Sequence, residues 1–461
     1  MARVRLTTLE AVLLVVGGSV LAACGSSGKK TAAPTTTAAT GAAVASSTAP
    51  AALTASFRGV TATSIKLGIV TIDYTCIKQF VNFNYGNQPA IDQVFINDLN
   101  AHGGILGRTI VPVYKSYCPI GNTTALAACT SFTEDDKVFA VLGRLYDNTG
   151  DAELCVSRDH QTIHIGHQLS QAWIDQAPPA LLMSPDVSAE RRATVLLNLV
   201  KDNGTLAGKK VATLTDTDTA GSVTKVIKPA LDAMGLAQGS PAVVTIIGSD
   251  TSAAQSQLDS FIEKWKGEGV NALVLAGQYV PAKQFVEKIR RGMPDVLLVA
   301  EGADSAQGGA QDESAAGVKP NPYDGLITAT GLSDHDTWVS AQEQACVKTY
   351  ETGSGQQVIG PDQLQPGPDG KSVQVWLAVL DFCDELGMFR QIATKAGPDL
   401  TNATWTAAAN SFGEIKVVTP FASIRAGKYD ADDAFHLSAF DETIGKKGDF
   451  RPLTPIQDAS K

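Results

Sequence analysis

Strand-length apolar runs alternate with helix-length segments along this chain in two successive series, and that alternation limits the folds open to it. In the first series "SIKLGIV" (64–70), "RTIVPVY" (108–114), "VFAVLG" (138–143) and "TIHIG" (162–166) read as buried strands. Between the first two, Ile91, Val94, Phe95 and Leu99 share one helical face and stop at His102-Gly103-Gly104, where glycine can take the left-handed C-cap conformation. Further helices are expected over 121–133 and 149–160. The second series runs helix 187–203, strand 209–215, helix 221–234, strand 242–247, helix 254–267, strand 271–277, helix 281–291 and strand 296–300. From 325 the order is irregular: strand 325–330, helix 336–350, a Gly/Pro/Gln-rich loop over 353–371, and helix 372–387. Strands separated by helices form parallel sheets with right-handed crossovers. Two such series predict an α/β chain of two doubly wound lobes.

Length agrees, because the 405 residues from 57 to 461 are too many for one hydrophobic core. The preceding residues read differently. Arg3 and Arg5 precede an apolar core of 13 residues, "AVLLVVGGSVLAA" (11–23), which is too short to span a bilayer as a helix. It leads into Leu21-Ala22-Ala23-Cys24, which resembles the lipobox of bacterial lipoprotein signals. Residues 1–23 are therefore expected to be a lipoprotein signal peptide, with Cys24 taking the lipid. Residues 25–56 are mostly Ala, Thr, Ser, Gly and Pro without periodicity. Such a segment buries too little apolar surface to offset chain entropy, so 24–56 reads as a lipidated cysteine and a disordered tether.

Net charge is −10 and no basic stripe is present, which argues against a nucleic-acid partner. Six cysteines follow Cys24: Cys76, Cys118, Cys129, Cys155, Cys346 and Cys383. An even number in an exported chain favours disulfides, and no C-x-x-C pair suggests zinc or redox chemistry. Six cysteines allow fifteen pairings, among which sequence does not choose.

"HQTIHIGH" (160–167) is the one stretch with metal-site spacing. His160 ends a helix, His164 lies inside a strand and His167 follows that strand, so the three do not share one face. His164 is expected to be a hydrogen-bonded core residue and no metal is expected. His167 sits where doubly wound sheets bind ligands, outside the carboxyl end of a strand. No G-x-S-x-G, H-E-x-x-H or G-x-x-x-x-G-K-[ST] motif occurs, and "HGGILG" ends a helix instead of opening one. No catalytic activity and no cofactor are expected.

"AIDQVFINDLNAHGGILGRTIVPVY" (90–114) resembles the first helix and second strand of the type I periplasmic binding proteins, the leucine/isoleucine/valine-binding group. "KVFAVLG", "GKKVATLTDTD", "NALVLAGQYVPAKQFVEKIRR" and "YDGLITAT" extend the likeness over roughly 64–440. The resemblance implies two lobes joined by three crossovers, closing on a small solute that is delivered to an ABC permease. It divides the chain into a first lobe of 57–185 plus 325–415 and a second of 186–324 plus 416–461. It also implies a monomer, and a 346–383 disulfide between two helices of one lobe.

The same resemblance supplies candidate ligand residues. An aromatic before the first helix corresponds to Phe83 or Tyr85; the loop "RLYDNT" offers Tyr146 and Asp147, with Asp147 where amino-acid binders carry Ser. That departure matters, because a carboxylate opposite a ligand carboxylate repels. His167, Gln168 and Ser170 follow the fourth strand. From the second lobe come Asp218 and Thr219 in "TDTDTAG", and Glu301 in "LLVAEGAD", where amino-acid binders hold the ligand ammonium. The expected function is a lipid-anchored solute-binding protein on the outer face of a bacterial membrane, taking an amino-acid-like or amide solute. A ligand-responsive sensor reporting to a membrane partner is the alternative, and a cell-surface hydrolase a third class.

Overall fold

The computed structural model describes residues 53–78, 83–145, 149–217, 220–245, 252–277, 280–361, 363, 367 and 372–460. The first series forms a five-stranded sheet: β1 (Ser64–Ile72), β2 (Thr109–Tyr117), β3 (Ala140–Leu142), β4 (Ile163–Ile165) and β5 (Leu182–Met183). Its order is β2-β1-β3-β4-β5 and every pairing is parallel. Helix α1 (Gln88–Ala101) connects β1 to β2. Asn87 caps its N-terminus by accepting from the Ala90 amide, and Pro89 sits in the first turn, where its missing N–H costs nothing. At its C-terminal end the Gly104 amide closes on the Leu99 carbonyl at 2.9 Å. A Cβ on Gly104 would stand 1.9 Å from the Arg108 carbonyl oxygen, so only glycine fits that turn into β2.

The second series forms the other, nine-stranded sheet from β6 (Lys210–Asp216), β7 (Ala242–Val244), β8 (Ala272–Ala276), β9 (Leu297–Ala300), β10 (Ile327–Thr330), β11 (Ala434–Asp441), β12 (Asp449–Pro452) and the two-residue strands Ala237–Gln238 and Gln457–Asp458. β6 through β10 pair with one another in parallel, whereas β11 runs antiparallel to β10 and β12 antiparallel to β11. Strands β11 and β12, and the helices Ala303–Ala315 and Asn402–Asn410, add to the elements that the apolar alternation predicts.

Each sheet is covered on both faces, which explains strands that are apolar throughout. In the first lobe α1, α2 (Ala341–Ser354), α3 (Val375–Ala396) and Asn402–Asn410 cover one face. The segments around Ala125–Phe132 and Ala152–Val156 cover the other. In the second lobe Ser252–Glu268 and Lys283–Gly292 lie on one face, and α4 (Ala189–Asp202) with Val223 to Leu231 on the other.

Three chain crossings join the lobes, but two of them lie elsewhere than expected. The resemblance placed 325–415 in the first lobe; Ile327 and Thr328 instead pair in parallel with Val299 and Ala300. The chain therefore stays in the second sheet through Thr330. It likewise placed 416–461 in the second lobe, yet Val417, Ala422, Ile424, Tyr429 and Ala431 pack in the first lobe's core. The last crossing falls between Ala431 and Ala434. The cause is local: β10 is buried between β9 and β11, and leaving that sheet earlier would expose the edges of both neighbours.

The crossings are sewn together. Ser184 donates its amide to the Tyr429 carbonyl at 2.9 Å and accepts from the Ala431 amide at 2.8 Å. Gly331 passes so close that a Cβ there would lie 2.6 Å from the Ala434 carbonyl oxygen. Three disulfides sit in the first lobe: Cys76–Cys118 ties the ends of β1 and β2, Cys129–Cys155 ties two helical segments, and Cys346–Cys383 ties α2 to α3. Among the described residues, no helix is long and apolar enough to cross a membrane.

Candidate functional site: the cleft between the lobes

The strand directions decide where a site can form. Arg144 and His167 emerge just beyond the carboxyl ends of β3 and β4, and Thr330 and Gly331 close the carboxyl end of β10. All four line a cleft of about 1000 Å³ between the lobes. Its first-lobe wall also carries Tyr85, Trp376 and Asp381; its second-lobe wall carries Arg192, Lys283 and Asp312. An aromatic group flanks the entrance to the first lobe. Tyr74, Phe83 and Tyr85 pack with ring centroids 5.3–5.9 Å apart.

His167 is the most constrained side chain of this wall. Its Nδ1 lies 2.9 Å from Asp186 Oδ2 and its Nε2 lies 2.8 Å from Glu385 Oε1. Burial opposes charge on the ring, but Asp186, Asp381 and Glu385 outweigh it and hold the imidazole pKa well above its ordinary value. The imidazolium in turn helps its partner. Burial works against ionisation of Asp186, yet His167, Arg144 and Arg192 hold that carboxyl well below the usual range. Glu385 is pushed the other way, raised by burial and only partly offset by His167.

Neither a family model nor a curated protein sequence matches this chain. Solved structures do. An ABC-transporter solute-binding protein from Rhodopseudomonas palustris BisB5, in complex with 3,4-dihydroxybenzoic acid, superposes with a TM-score of 0.59 at 16% identity, covering 86% of this chain and 98% of that one. A leucine-binding protein from Thermotoga maritima gives 0.59 at 11% identity, covering 86% and 99%. A fatty-acid ABC-transporter substrate-binding protein from Thermomonospora curvata gives 0.57 at 16%, covering 87% and 94%. The fold is that of a type I periplasmic binding protein.

Within this binding-protein fold the expected ligand residues separate into three groups. Tyr85, His167 and Gln168 come together on the cleft wall, Gln168 in a left-handed backbone conformation with φ of 55°. Tyr146, Asp147, Asp218 and Thr219 lie outside the described residues. Ser170 and Glu301 are not among the cleft-lining residues. Ser170 caps a short helix, accepting from the Ala172 amide at 3.1 Å and donating to Glu190 Oε1 at 2.7 Å. Glu301 does stand at the carboxyl end of β9, but it is only 6% exposed and accepts the Gly277 amide at 3.0 Å. Burial pushes its carboxyl up to about 7, against the pull of Arg192 and that amide.

The other two histidines have separate surroundings. His164 is fully buried, its Nε2–H donating to the Gly143 carbonyl at 2.9 Å, and burial lowers its pKa to about 4. His160 faces Glu134 at 3.5 Å. It also lies near Cys129 and Cys155, whose sulfurs are bonded to each other and so are not available to a metal.

Several cleft residues escaped sequence reading. Arg144 follows Gly143 directly, and the rule that selected His167 would have selected it too. Asp381 and Glu385 lie one turn apart on α3, a helix otherwise rich in apolar residues, and helical periodicity alone gives no reason to prefer them. Arg192 comes from the first turn of α4, immediately past a crossing whose position was not known.

Proposed function

We propose that this chain is the extracytoplasmic solute-binding subunit of an ABC importer, holding one small solute between its two lobes. The observation that carries the reading is the roomy cleft at the carboxyl ends of strands from both sheets, lined by paired charges and flanked by aromatic rings. In this reading the solute bridges lobes that otherwise populate an open state, and so shifts them toward a closed one that docks on a permease. Binding, not turnover, is its task. Leu21-Ala22-Ala23-Cys24 would tether the protein through acyl chains to the outer face of the cytoplasmic membrane.

The solute is a small nitrogen-bearing molecule, amino-acid-like or an amide. Supporting this, Asp92, Asp186, Asp381 and Glu385 crowd the first-lobe wall, facing Arg144 and His167 among the described residues. Arg144 and Arg192 suit a carboxylate on the same solute. A melting-temperature screen of the purified protein against amino acids, amides, polyamines, sugars, hydroxybenzoates and fatty acids tests the reading. A solute present at 100 times its Kd stabilises by about 2.7 kcal/mol, a readily seen shift. Stabilisation by a nitrogen-bearing solute is the expected result; stabilisation by none of these classes, or release of a reaction product, contradicts it.

A further inference from the structure

Behind the first-lobe wall of the cleft lies a smaller chamber of about 50 Å³, reached past Tyr85, Arg144 and His167, which line both spaces. That volume holds a few water-sized groups, enough for the head of a solute but not for an aromatic ring or a whole amino acid. Val70, Ile72, Ala378 and Phe382 supply apolar wall, and Asp92, Asp381 and Glu385 supply carboxylates.

Asp92 is the unusual member. It projects from the second turn of α1, is 5% exposed and lines the chamber. Among the described residues no hydrogen-bond donor or cation is paired with it, and its charged neighbours Glu385 and Asp381 are of like sign. The nearby polar groups are committed elsewhere. Gln88 closes a two-way hydrogen bond with Ile72, at 3.2 and 3.0 Å, and Tyr114 donates to Gln93 at 3.3 Å. His167 is held between Asp186 and Glu385. A buried carboxyl without a partner is strongly unfavourable when ionised. Accordingly, burial and the two like charges raise its pKa well above the ordinary value.

We infer that this chamber is a cation subsite, in which Asp92 receives a primary ammonium group carried on an alkyl stem. The inference rests on the solute-binding reading and gives the amine a place in the first lobe, away from Glu301. An ammonium supplies donors to the unpartnered carboxyl, while the apolar wall accepts the stem. A bare metal ion fits less well: Asp92, Asp381 and Glu385 do not bring three ligand atoms within 4.8 Å of one another. On binding, the ammonium pairs with the Asp92 carboxylate inside the chamber. The groups facing this pair are Asp381 and Glu385 of α3, Arg144 after β3, His167 after β4 and Tyr114 of β2.

The test is calorimetric titration of the full exported protein with matched probes: 4-aminobutyrate against butyrate, putrescine against butane-1,4-diol, and leucine against 4-methylpentanoate. At least one amine is expected to bind at least about tenfold more tightly than its deaminated partner. Asp92→Asn should abolish the preference while melting no lower than the parent, since it removes a buried acid that has no paired donor or cation among the described residues. A preference that survives in Asp92→Asn, or amines that bind no better than their partners, overturns the subsite and leaves solute binding intact. Binding confined to hydroxybenzoates or fatty acids does the same. No binding by any solute class overturns both readings together.

Discussion

Arg191 reaches from the first lobe crossing to the last, placing its Nε 2.8 Å from Asp430 Oδ2. The same guanidinium meets Asp433 at 3.0 Å and the Asp432 carbonyl, while Asp430 also accepts the Ser188 amide at 2.7 Å. Lys428 completes the group, 3.1 Å from Asp433. The crossings are thus fixed to each other by buried, multiply bonded charge as well as by the backbone hydrogen bonds of Ser184.

Removing Arg191 should leave Asp430 and Asp433, each about 1% exposed, with Lys428 as their one remaining ion-pair partner among the described residues. Arg191→Met is expected to cost about 3–5 kcal/mol, the usual penalty for breaking a buried pair on one side. Urea unfolding of the variant checks this. A cost below about 1 kcal/mol would show that the network does not hold the crossings.

Stability should fall as pH rises, because several acids are buried without adequate partners. Burial and the nearby Asp384 and Asp381 push Glu343 up to about 9, and neither of its carboxyl oxygens has a hydrogen-bond partner. Burial likewise brings Asp384, Glu301 and Asp432 up to about 7. Between the ordinary carboxyl range and these values the folded chain holds more protons than the unfolded one. Each such group then removes roughly 1.4 kcal/mol per pH unit as pH rises through its window. His167 acts in the same direction: its contribution is complete below the ordinary imidazole range and is lost as pH rises through its elevated value. Urea unfolding at pH 5, 7 and 9 should show progressive loss, and Glu343→Gln should flatten the part between 7 and 9. An unchanged slope in that variant would contradict the assignment to Glu343.

The alternating pattern made the lobes readable because parallel strands covered on both faces are apolar along their whole length. β1 and β8 illustrate this. β11 was missed because His436, Ser438 and the segment's place after a long irregular stretch obscure its sheet, although all three positions 436–438 are buried. The crossings were misplaced for a related reason: Thr330 to Ser333 and Ala431 to Ala434 are short, and only pairing partners reveal which lobe a strand joins. At the site, strand-end position identified His167, and sequence likeness brought in Tyr85 and Gln168. The acids Asp92, Asp381 and Glu385 sit on helices, where only tertiary packing turns them toward the chamber.

Membrane attachment is expected to depend on Cys24, because Leu21-Ala22-Ala23-Cys24 resembles a lipobox. Cys24→Ala should move the protein from the membrane fraction to the soluble exported fraction. Persistent membrane association of that variant would contradict the lipid tether.

The disulfides should carry much of the first lobe's stability. Cys129 is buried at the centre of a small core with Phe132 and Val156, and its bond to Cys155 closes a loop of 26 residues. Replacing both cysteines with serine is expected to cost about 2–4 kcal/mol. Thiol titration of the unfolded parent should find none of the six later cysteines free; several free thiols would contradict the pairing.

The central claim, that the two lobes together hold one solute, is tested most directly by calorimetric titration with the solute that most raises the melting temperature. The expected result is one site per chain, with affinity reduced at least about tenfold by Arg144→Ala in the first lobe and by Arg192→Ala in the second. Binding that neither substitution weakens would place the solute outside the cleft and contradict the account.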